Sequence, residues 1–150
     1  MESAGVTHVV WLLDSELEAL GGGAGVGAAR LRLIRVCREG EAIGVAGLLL
    51  GGKRPVVLLQ CTGLFDAGDA LRNVVHALGL PLLLVVGVRS WKAHLRGGST
   101  DSCPRFAEPI VQAWQLPHRW LNDADTADNL ADAFRQAIAA DRPLALLLPE

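Results

Sequence analysis

The sequence of 150 residues lacks several features that would assign it at once to a functional class. Basic residues are not in excess, since 14 Lys and Arg stand against 16 Asp and Glu, for a formal net charge of −2. Nucleic-acid-binding domains usually carry a basic surface, so no nucleic-acid partner is expected. The three cysteines, Cys37, Cys61 and Cys103, form no CxxC pair, which argues against a zinc site or a disulfide framework.

Long apolar runs are also missing. The longest, Leu80 to Val88, contains a proline and a glycine and is too short to span a bilayer. The N-terminus lacks the basic start and apolar stretch of a signal peptide, so we expect a cytoplasmic protein without membrane contact. Walker-type phosphate loops are absent, and the glycine-rich run 21–28 follows a predicted helix, which favours a flexible connection over a dinucleotide loop.

Aliphatic residues are what the sequence has in abundance. Hydrophobic residues make up 51% of the chain, aromatic residues only 5%, and the mean hydropathy is +0.32. A parallel sheet covered by helices on both faces needs continuous Val and Leu runs, and this accounts for the excess. An apolar surface hidden against a partner chain would add to it, and we expect both.

Apolar runs alternate with helical patterns along the whole chain. The predicted strands are Thr7–Leu13, Leu31–Cys37, Val56–Gln60, Leu80–Val88, His118–Leu121 and Pro143–Leu148. The predicted helices are 14–20, Glu39–Leu50, Asp66–Leu78, Pro104–Gln115 and Ala127–Ala140, the last capped by Thr126, with a mobile loop over Arg89–Cys103. This order predicts one α/β domain over 1–150, a doubly wound open sheet of about six mostly parallel strands with helices on both faces.

Polar side chains directly follow several predicted strands. They are Asp14, Arg38-Glu39, Cys61-Thr62-Gly63 and Arg89. Because ligands of doubly wound sheets bind beyond the carboxyl ends of the strands, we expect these residues to converge at one edge. Glu39 is the most informative of them, since a carboxylate among apolar segments is costly to bury and therefore usually has a function.

The residues from Glu39 onward resemble a known family. The strings REGEAIGVAG, GGKRPVVLLQ, TGL and DALRNVVHALGLPLLLVVG are similar to the pyrimidine-binding domain of thiamine diphosphate-dependent 2-oxo acid decarboxylases. Among these, the chain resembles the α subunit of sulfopyruvate decarboxylases and the N-terminal half of phosphonopyruvate decarboxylases. The resemblance extends from about Gly5 to Leu148 and includes the stretch from Cys103 to Ile110.

The resemblance implies roles for particular residues. Glu39 would hydrogen-bond N1′ of the cofactor aminopyrimidine and share a proton with it, which activates the cofactor. Gln60, Thr62 and Gly63 would shape the cofactor pocket. The rival carboxylate Glu41 fits the family pattern less well and is predicted to be a surface or interface charge.

A second set of residues is implied to face the substrate: Asp14, Ser15, Cys61 and Arg89. The family turn usually reads Gln-Asn-Ser/Thr-Gly, and here Cys61 replaces the amide with a thiol, which donates hydrogen bonds only weakly. Asp14 and Ser15 follow Leu13 where the family usually has proline, and they could equally cap a helix. Arg89, with Lys92 and Arg96, could bind a sulfonate or phosphonate, or could form a solvated basic loop.

One half of a thiamine diphosphate site is missing from the sequence. In this family a Gly-Asp-Gly run holds the diphosphate through Mg²⁺, and the sequence has no such run. The partial match Gly68-Asp69 is followed by Ala70. The resemblance therefore implies a heteromer with a diphosphate-binding subunit, with even numbers of each chain, that holds thiamine diphosphate and Mg²⁺. Alternatives are a carboligase or acyl-transfer subunit, a non-catalytic α/β binding module, and a flavodoxin-like domain without a convincing phosphate loop.

Overall fold

The computed structural model describes residues 5–12, 31–121 and 126–150, and these contain a six-stranded sheet. Its strands are β1 (His8–Leu12), β2 (Arg32–Val36), β3 (Pro55–Gln60), β4 (Leu83–Val88), β5 (His118–Trp120) and β6 (Leu144–Pro149). Their order is β2-β1-β3-β4-β6-β5, and all neighbouring strands are parallel. The predicted open α/β sheet is confirmed, and β4 lies near its centre.

Helices cover both faces of this sheet. They are α1 (Glu39–Leu49), α2 (Cys61–Asp66), α3 (Gly68–Ala70) with a π-helical turn over Leu71–His76, α4 (Trp91–Leu95), α5 (Cys103–Ala113) and α6 (Thr126–Ala140). Helices α1, α2 and α5 pack with the π-helical turn on one face, called here the α1 face, and α6 packs on the other, the α6 face. Among the helices described, none is both long and apolar enough to cross a membrane.

Strand alternation decides which side chains meet which helices. On β3, Val57 and Leu59 belong to the core under the α1 face, whereas Val56 and Leu58 belong to the core under the α6 face. Full burial of an aliphatic side chain of this size stabilises the fold by about 1.5–3 kcal/mol. By the same alternation, Gln60 at the end of β3 lies on the α6 face.

The prediction of one continuous helix over Asp66–Leu78 is wrong, because the structure divides this segment. The structure ends α2 at Asp66, restarts the helix at Gly68 and then widens it into the π-helical turn. At this division the indole of a distant residue, Trp114, packs onto Gly68. A β-carbon at Gly68 would lie 3.1 Å from Cε2 of that indole.

The prediction of a loop over Arg89–Cys103 is also wrong in part. The segment contains the short helix α4, and Cys103 begins α5. Trp91 at the start of α4 stacks on Trp120 of β5, with ring centroids 4.0 Å apart. The tryptophan pair ties the segment to the sheet, and sequence periodicity could not show a contact between such distant residues.

Candidate active site

The carboxyl ends of the six parallel strands form one edge, the position at which ligands bind in folds of this type. The chain enters α1 at Glu39 after β2, and it enters α2 at Cys61 after β3. It turns at Arg89 after β4, and Glu150 follows β6. The structure therefore places most of the predicted polar residues at this edge, together with Glu150, which the sequence analysis missed.

Glu39 is the first residue of α1 and is half-buried. Arg38 before it is extended, with φ −142° and ψ 148°, so the helix starts directly at Glu39. The partial positive charge of a helix N-terminus favours a carboxylate in the first turn by about 0.3–1 kcal/mol. Within the described part of the chain, no side chain or backbone group pairs with this carboxylate. It can therefore accept a hydrogen bond from a ligand or share a proton with it.

Gly63 lies directly against the Glu39 side chain. A β-carbon at Gly63 would lie 2.5 Å from Oε1 and 2.8 Å from Cδ of Glu39, distances that real side chains do not reach. Glycine is thus the one residue that fits at this point of α2 without moving the carboxylate. The structure brings together two of the residues predicted to contact the cofactor.

Glu41 makes different contacts from Glu39, although the two carboxylates are only two positions apart. Glu41 Oε2 accepts hydrogen bonds from the backbone N–H groups of Cys37 (3.0 Å) and Arg38 (3.1 Å). These bonds satisfy backbone donors at the start of α1, as in a capping box. Glu41 is exposed, as predicted for a surface charge, and it also stabilises the helix that carries Glu39.

Gln60 is buried, with 7% of its surface exposed, and it is paired with Glu150. Gln60 Nε2 donates a hydrogen bond of 2.9 Å to Glu150 Oε2. Gln60 is one of the residues predicted to line the cofactor pocket, whereas Glu150 is not among the predicted site residues. The available signal was a carboxylate directly after the last strand, the same kind of signal that identified Glu39.

Cys61 is fully buried on the α1 face, where α2 packs against α5. Burial raises the pKa of the Cys61 thiol, although hydrogen bonds from the Arg89 backbone and the Cys103 side chain partly oppose that effect. Burial, followed by a hydrogen bond to the Asp101 carboxylate, raises the pKa of Cys103 to about 12. Cys61 thus contacts α5 and the end of β4, and its predicted contact with substrate stays a prediction.

Asp101 organises the segment that follows β4. It accepts hydrogen bonds from the backbone N–H of Cys103 (2.9 Å) and the hydroxyl of Ser90 (3.1 Å), and it pairs with the Arg89 guanidinium (2.9 Å). Ser90 has φ 61°, a left-handed conformation that is uncommon for residues other than glycine. The Arg89 side chain, predicted to bind substrate, is therefore held against Asp101.

The structure shows less about three other predicted site residues. Thr62 is exposed in the first turn of α2 and stays a candidate for cofactor contact. Asp14 and Ser15 lie outside the described residues.

The three thiols are expected to differ strongly in reactivity. Cys37 is exposed, whereas Cys61 and Cys103 are buried and have raised pKa values. Because the thiolate is the reactive form, iodoacetamide at pH 8 should modify Cys37 rapidly and the other two only after unfolding. Mass spectrometry of the native chain and of a Cys37→Ser control would measure this, and equal labelling at all three positions would contradict the structure.

The contribution of Asp101 to stability is expected to disappear in acid. The Cys103 backbone N–H is the main cause that lowers the pKa of Asp101 from 3.8 to about 2. A carboxyl group with a lowered pKa in the folded state stabilises the protein above about pH 4. Its contribution to the free energy of unfolding is lost as the pH falls toward 2. Denaturant titrations at pH 5 and pH 3 should show a smaller acid-induced loss in Asp101→Asn than in the wild type. Asp66→Asn, at an exposed position, is the control and should behave like the wild type.

The chain is similar in sequence to known proteins. No family model matches the chain. The α subunit of sulfopyruvate decarboxylase from Methanococcus maripaludis is 29% identical over 119 residues, which cover 77% of this chain and 70% of that protein. The sulfopyruvate decarboxylase of Methanosarcina acetivorans is 28% identical over 123 residues, which cover 78% of this chain and 30% of that protein.

A solved structure shows the same fold. The thiamine diphosphate-dependent 4-hydroxybenzoylformate decarboxylase of Rhodococcus jostii superposes with a TM-score of 0.69 at 22% identity, over 99% of this chain and 28% of that one. The resemblance found in the sequence is thereby confirmed, and so is the fold class. The chain spans less than a third of the length of this protein and of the Methanosarcina relative.

Proposed function

We propose that the chain, over residues 1–150, is the pyrimidine-binding domain of a thiamine diphosphate-dependent 2-oxo acid decarboxylase. One observation carries the proposal: the half-buried Glu39 carboxylate has no partner in the described part of the chain and lies against Gly63 at the carboxyl edge of the sheet. Similarity to two sulfopyruvate decarboxylases supports the reaction class.

The residues at this edge fit the cofactor chemically. Glu39 would hold a proton at N1′ of the aminopyrimidine, since a carboxyl group can both accept and return one. Gly63 leaves the space beside it, and Gln60 and Thr62 would line the same pocket. When bound, thiamine diphosphate supplies the electron sink for the electron pair that remains as CO₂ leaves. The surrounding apolar side chains would keep water away from the reacting groups.

The proposed substrate is an anionic 2-oxo acid such as sulfopyruvate or phosphonopyruvate. Its acidic end needs donors, and the cationic side chains near the end of β4 are the candidates, together with the sequence-predicted substrate contacts Asp14 and Ser15. Because Arg89 pairs with Asp101, this guanidinium is already oriented by the protein. A side chain held in one geometry loses less freedom when it binds an anion.

The diphosphate and Mg²⁺ would be held by a second chain. The sequence has no Gly-Asp-Gly run, and this chain aligns with a protein named as one subunit of a decarboxylase. The outer face of α1 is suited to such contact, because Gly44 has open space beside it and Leu48 is 85% exposed. After its first turn, α1 has apolar residues on its outer side as well as its inner side. Helices that are apolar on all sides are normally buried, so the outer face of α1 is the proposed partner surface.

A charge on that face is expected to weaken the complex. Leu48→Asp would place a carboxylate in a desolvated interface, and the dissociation constant should rise by about tenfold or more. Analytical ultracentrifugation of the two chains would measure it. Ile138→Asp on α6 is the matched control, since Ile138 is an exposed apolar residue on the other face of the sheet. Weakening by the control alone would move the partner surface to α6.

The proposed function is tested by CO₂ release. The chain would be co-expressed with a candidate diphosphate-binding chain and supplied with thiamine diphosphate and Mg²⁺, and then assayed with sulfopyruvate, phosphonopyruvate and pyruvate. Turnover of an anionic 2-oxo acid would establish the decarboxylase and rank its substrates. A stable complex with bound cofactor but without CO₂ release would favour the carboligase. Absence of both complex and cofactor binding would leave the non-catalytic module.

A further inference from the structure

Gln60 and Glu150 form a hydrogen-bonded pair that spans the central strand β4. Gln60 ends β3, Glu150 follows β6, and β4 lies between these two strands. At Gly87 of β4, a β-carbon would lie 2.9 Å from Cδ and 3.1 Å from Oε2 of Glu150. The missing side chain at Gly87 is what allows the Glu150 carboxylate to cross β4 and reach Gln60.

The backbone of Glu150 is itself held in place. Its N–H donates to the carbonyl of Val88 over 3.2 Å, and its main-chain oxygen accepts from the N–H of Lys92 over 2.9 Å. The carboxylate therefore projects from a backbone that is bonded to the end of β4 and to α4. A group anchored in this way can hold another side chain in one orientation.

The pair fixes the direction of the Gln60 amide. A carboxylate accepts hydrogen bonds and does not donate them, so the amide must turn its NH₂ group toward Glu150. Gln60 Oε1 consequently points away from Glu150, and it is buried without a hydrogen-bond donor among the described residues. Since buried carbonyl oxygens in folded proteins nearly always have a donor, this one calls for a donor from a ligand.

Resting on the proposed function, we infer that Gln60 Oε1 accepts a hydrogen bond from an amino or hydroxyl group of the bound ligand. Glu150 is the positioning residue that orients the amide for this contact. A donor group of the cofactor or of the substrate therefore lies next to this pair.

The first arm of the test measures cofactor binding. Dissociation constants of thiamine diphosphate and of its 4′-oxo analogue, in which a carbonyl oxygen replaces the amino group, are determined by calorimetry for the two-chain complex. If Oε1 accepts from the amino group, the wild type prefers thiamine diphosphate, and Gln60→Leu should reduce that preference about tenfold. Glu150→Gln should reduce it by a smaller factor, because two facing amides no longer fix one orientation.

The second arm tests the substrate as the source of the donor. KM values for pyruvate and hydroxypyruvate are compared, since the two differ by one hydroxyl group. The same two variants should lose a preference for hydroxypyruvate if the hydroxyl is the donor. Asp66→Asn is the charge-matched control, as it removes one carboxylate at an exposed position and should leave both preferences unchanged. Thermal unfolding of each variant shows whether it is folded. If Gln60→Leu does not fold, Glu150→Gln still tests the inference.

The outcomes separate the inference from the proposed function. Loss of preference in the first arm assigns the donor to the cofactor, and loss in the second assigns it to the substrate. Unchanged preferences in both arms, with thiamine diphosphate still bound, would overturn the inference and leave the function intact. Failure of the wild-type complex to bind thiamine diphosphate would overturn the proposed function, and this inference with it.

Discussion

Glu39→Gln is expected to lower CO₂ release by about 10²–10⁴-fold, the usual contribution of a positioned acid–base group. The amide keeps the size of the side chain and can still form a hydrogen bond, but it cannot hold and return a proton. Because the half-buried Glu39 carboxylate has no hydrogen-bond or ion-pair partner in the described part of the chain, the substitution breaks no such bond there. Stability of the chain and assembly with the partner should therefore change little, and the loss should appear in kcat.

Glu41→Gln is the matched control for this prediction. It makes the same chemical change two positions along α1, and the amide oxygen can still accept from the backbone N–H groups that Glu41 caps. Turnover should stay within a few-fold of the wild type. If Glu39→Gln retained full activity while Glu41→Gln lost it, the proton-holding role would belong to Glu41.

Gly63→Ala is expected to have the second largest effect, because the added methyl group would clash with the Glu39 side chain. It would lie 2.5 Å from Oε1 and 2.8 Å from Cδ. Overpacking of this kind costs about 1–3 kcal/mol. A displacement of about 1 Å at a reacting group can lower the rate about 100-fold, and a loss of that size is expected here.

The sign of the Gly63 effect on stability is informative in itself. Gly63 lies within α2, and replacing a helical glycine with alanine normally stabilises a helix by about 1 kcal/mol. A net loss of stability in a urea titration would show that the clash with Glu39 outweighs this gain. Gly52→Ala is the control, because nothing lies within 4 Å of a β-carbon at Gly52. Wild-type turnover and raised stability in Gly63→Ala would show that the position of the Glu39 side chain against Gly63 is not required for activity.

Local patterns were enough to predict much of the fold. The continuous Val and Leu runs of β3 and β4 predicted strands buried on both faces, and every residue of both strands is buried. The start of α1 at Glu39 also followed from the sequence, since an apolar strand ends shortly before it. These features depend on residues within a few positions of one another, and so periodicity and turn chemistry could report them.

The errors arose where distant residues decide the local structure. The helix predicted over Asp66–Leu78 is divided where the indole of Trp114 packs onto Gly68. The loop predicted after β4 is ordered by Asp101 and by the stacking of two tryptophans. Neither contact leaves a periodic signal in the sequence.

The candidate site shows the same division. The sequence by itself determined the parallel sheet and the placement of Glu39, Gln60 and Gly63 near strand ends, because hydrophobic runs and their interruptions follow from the one-dimensional order of residues. The tertiary structure alone decided that Gly63 lies against Glu39 and that Gln60 pairs with Glu150, 90 positions away. These contacts depend on strand order and on space left by glycines, and strand order is set by packing between helices and sheet that involves the whole chain.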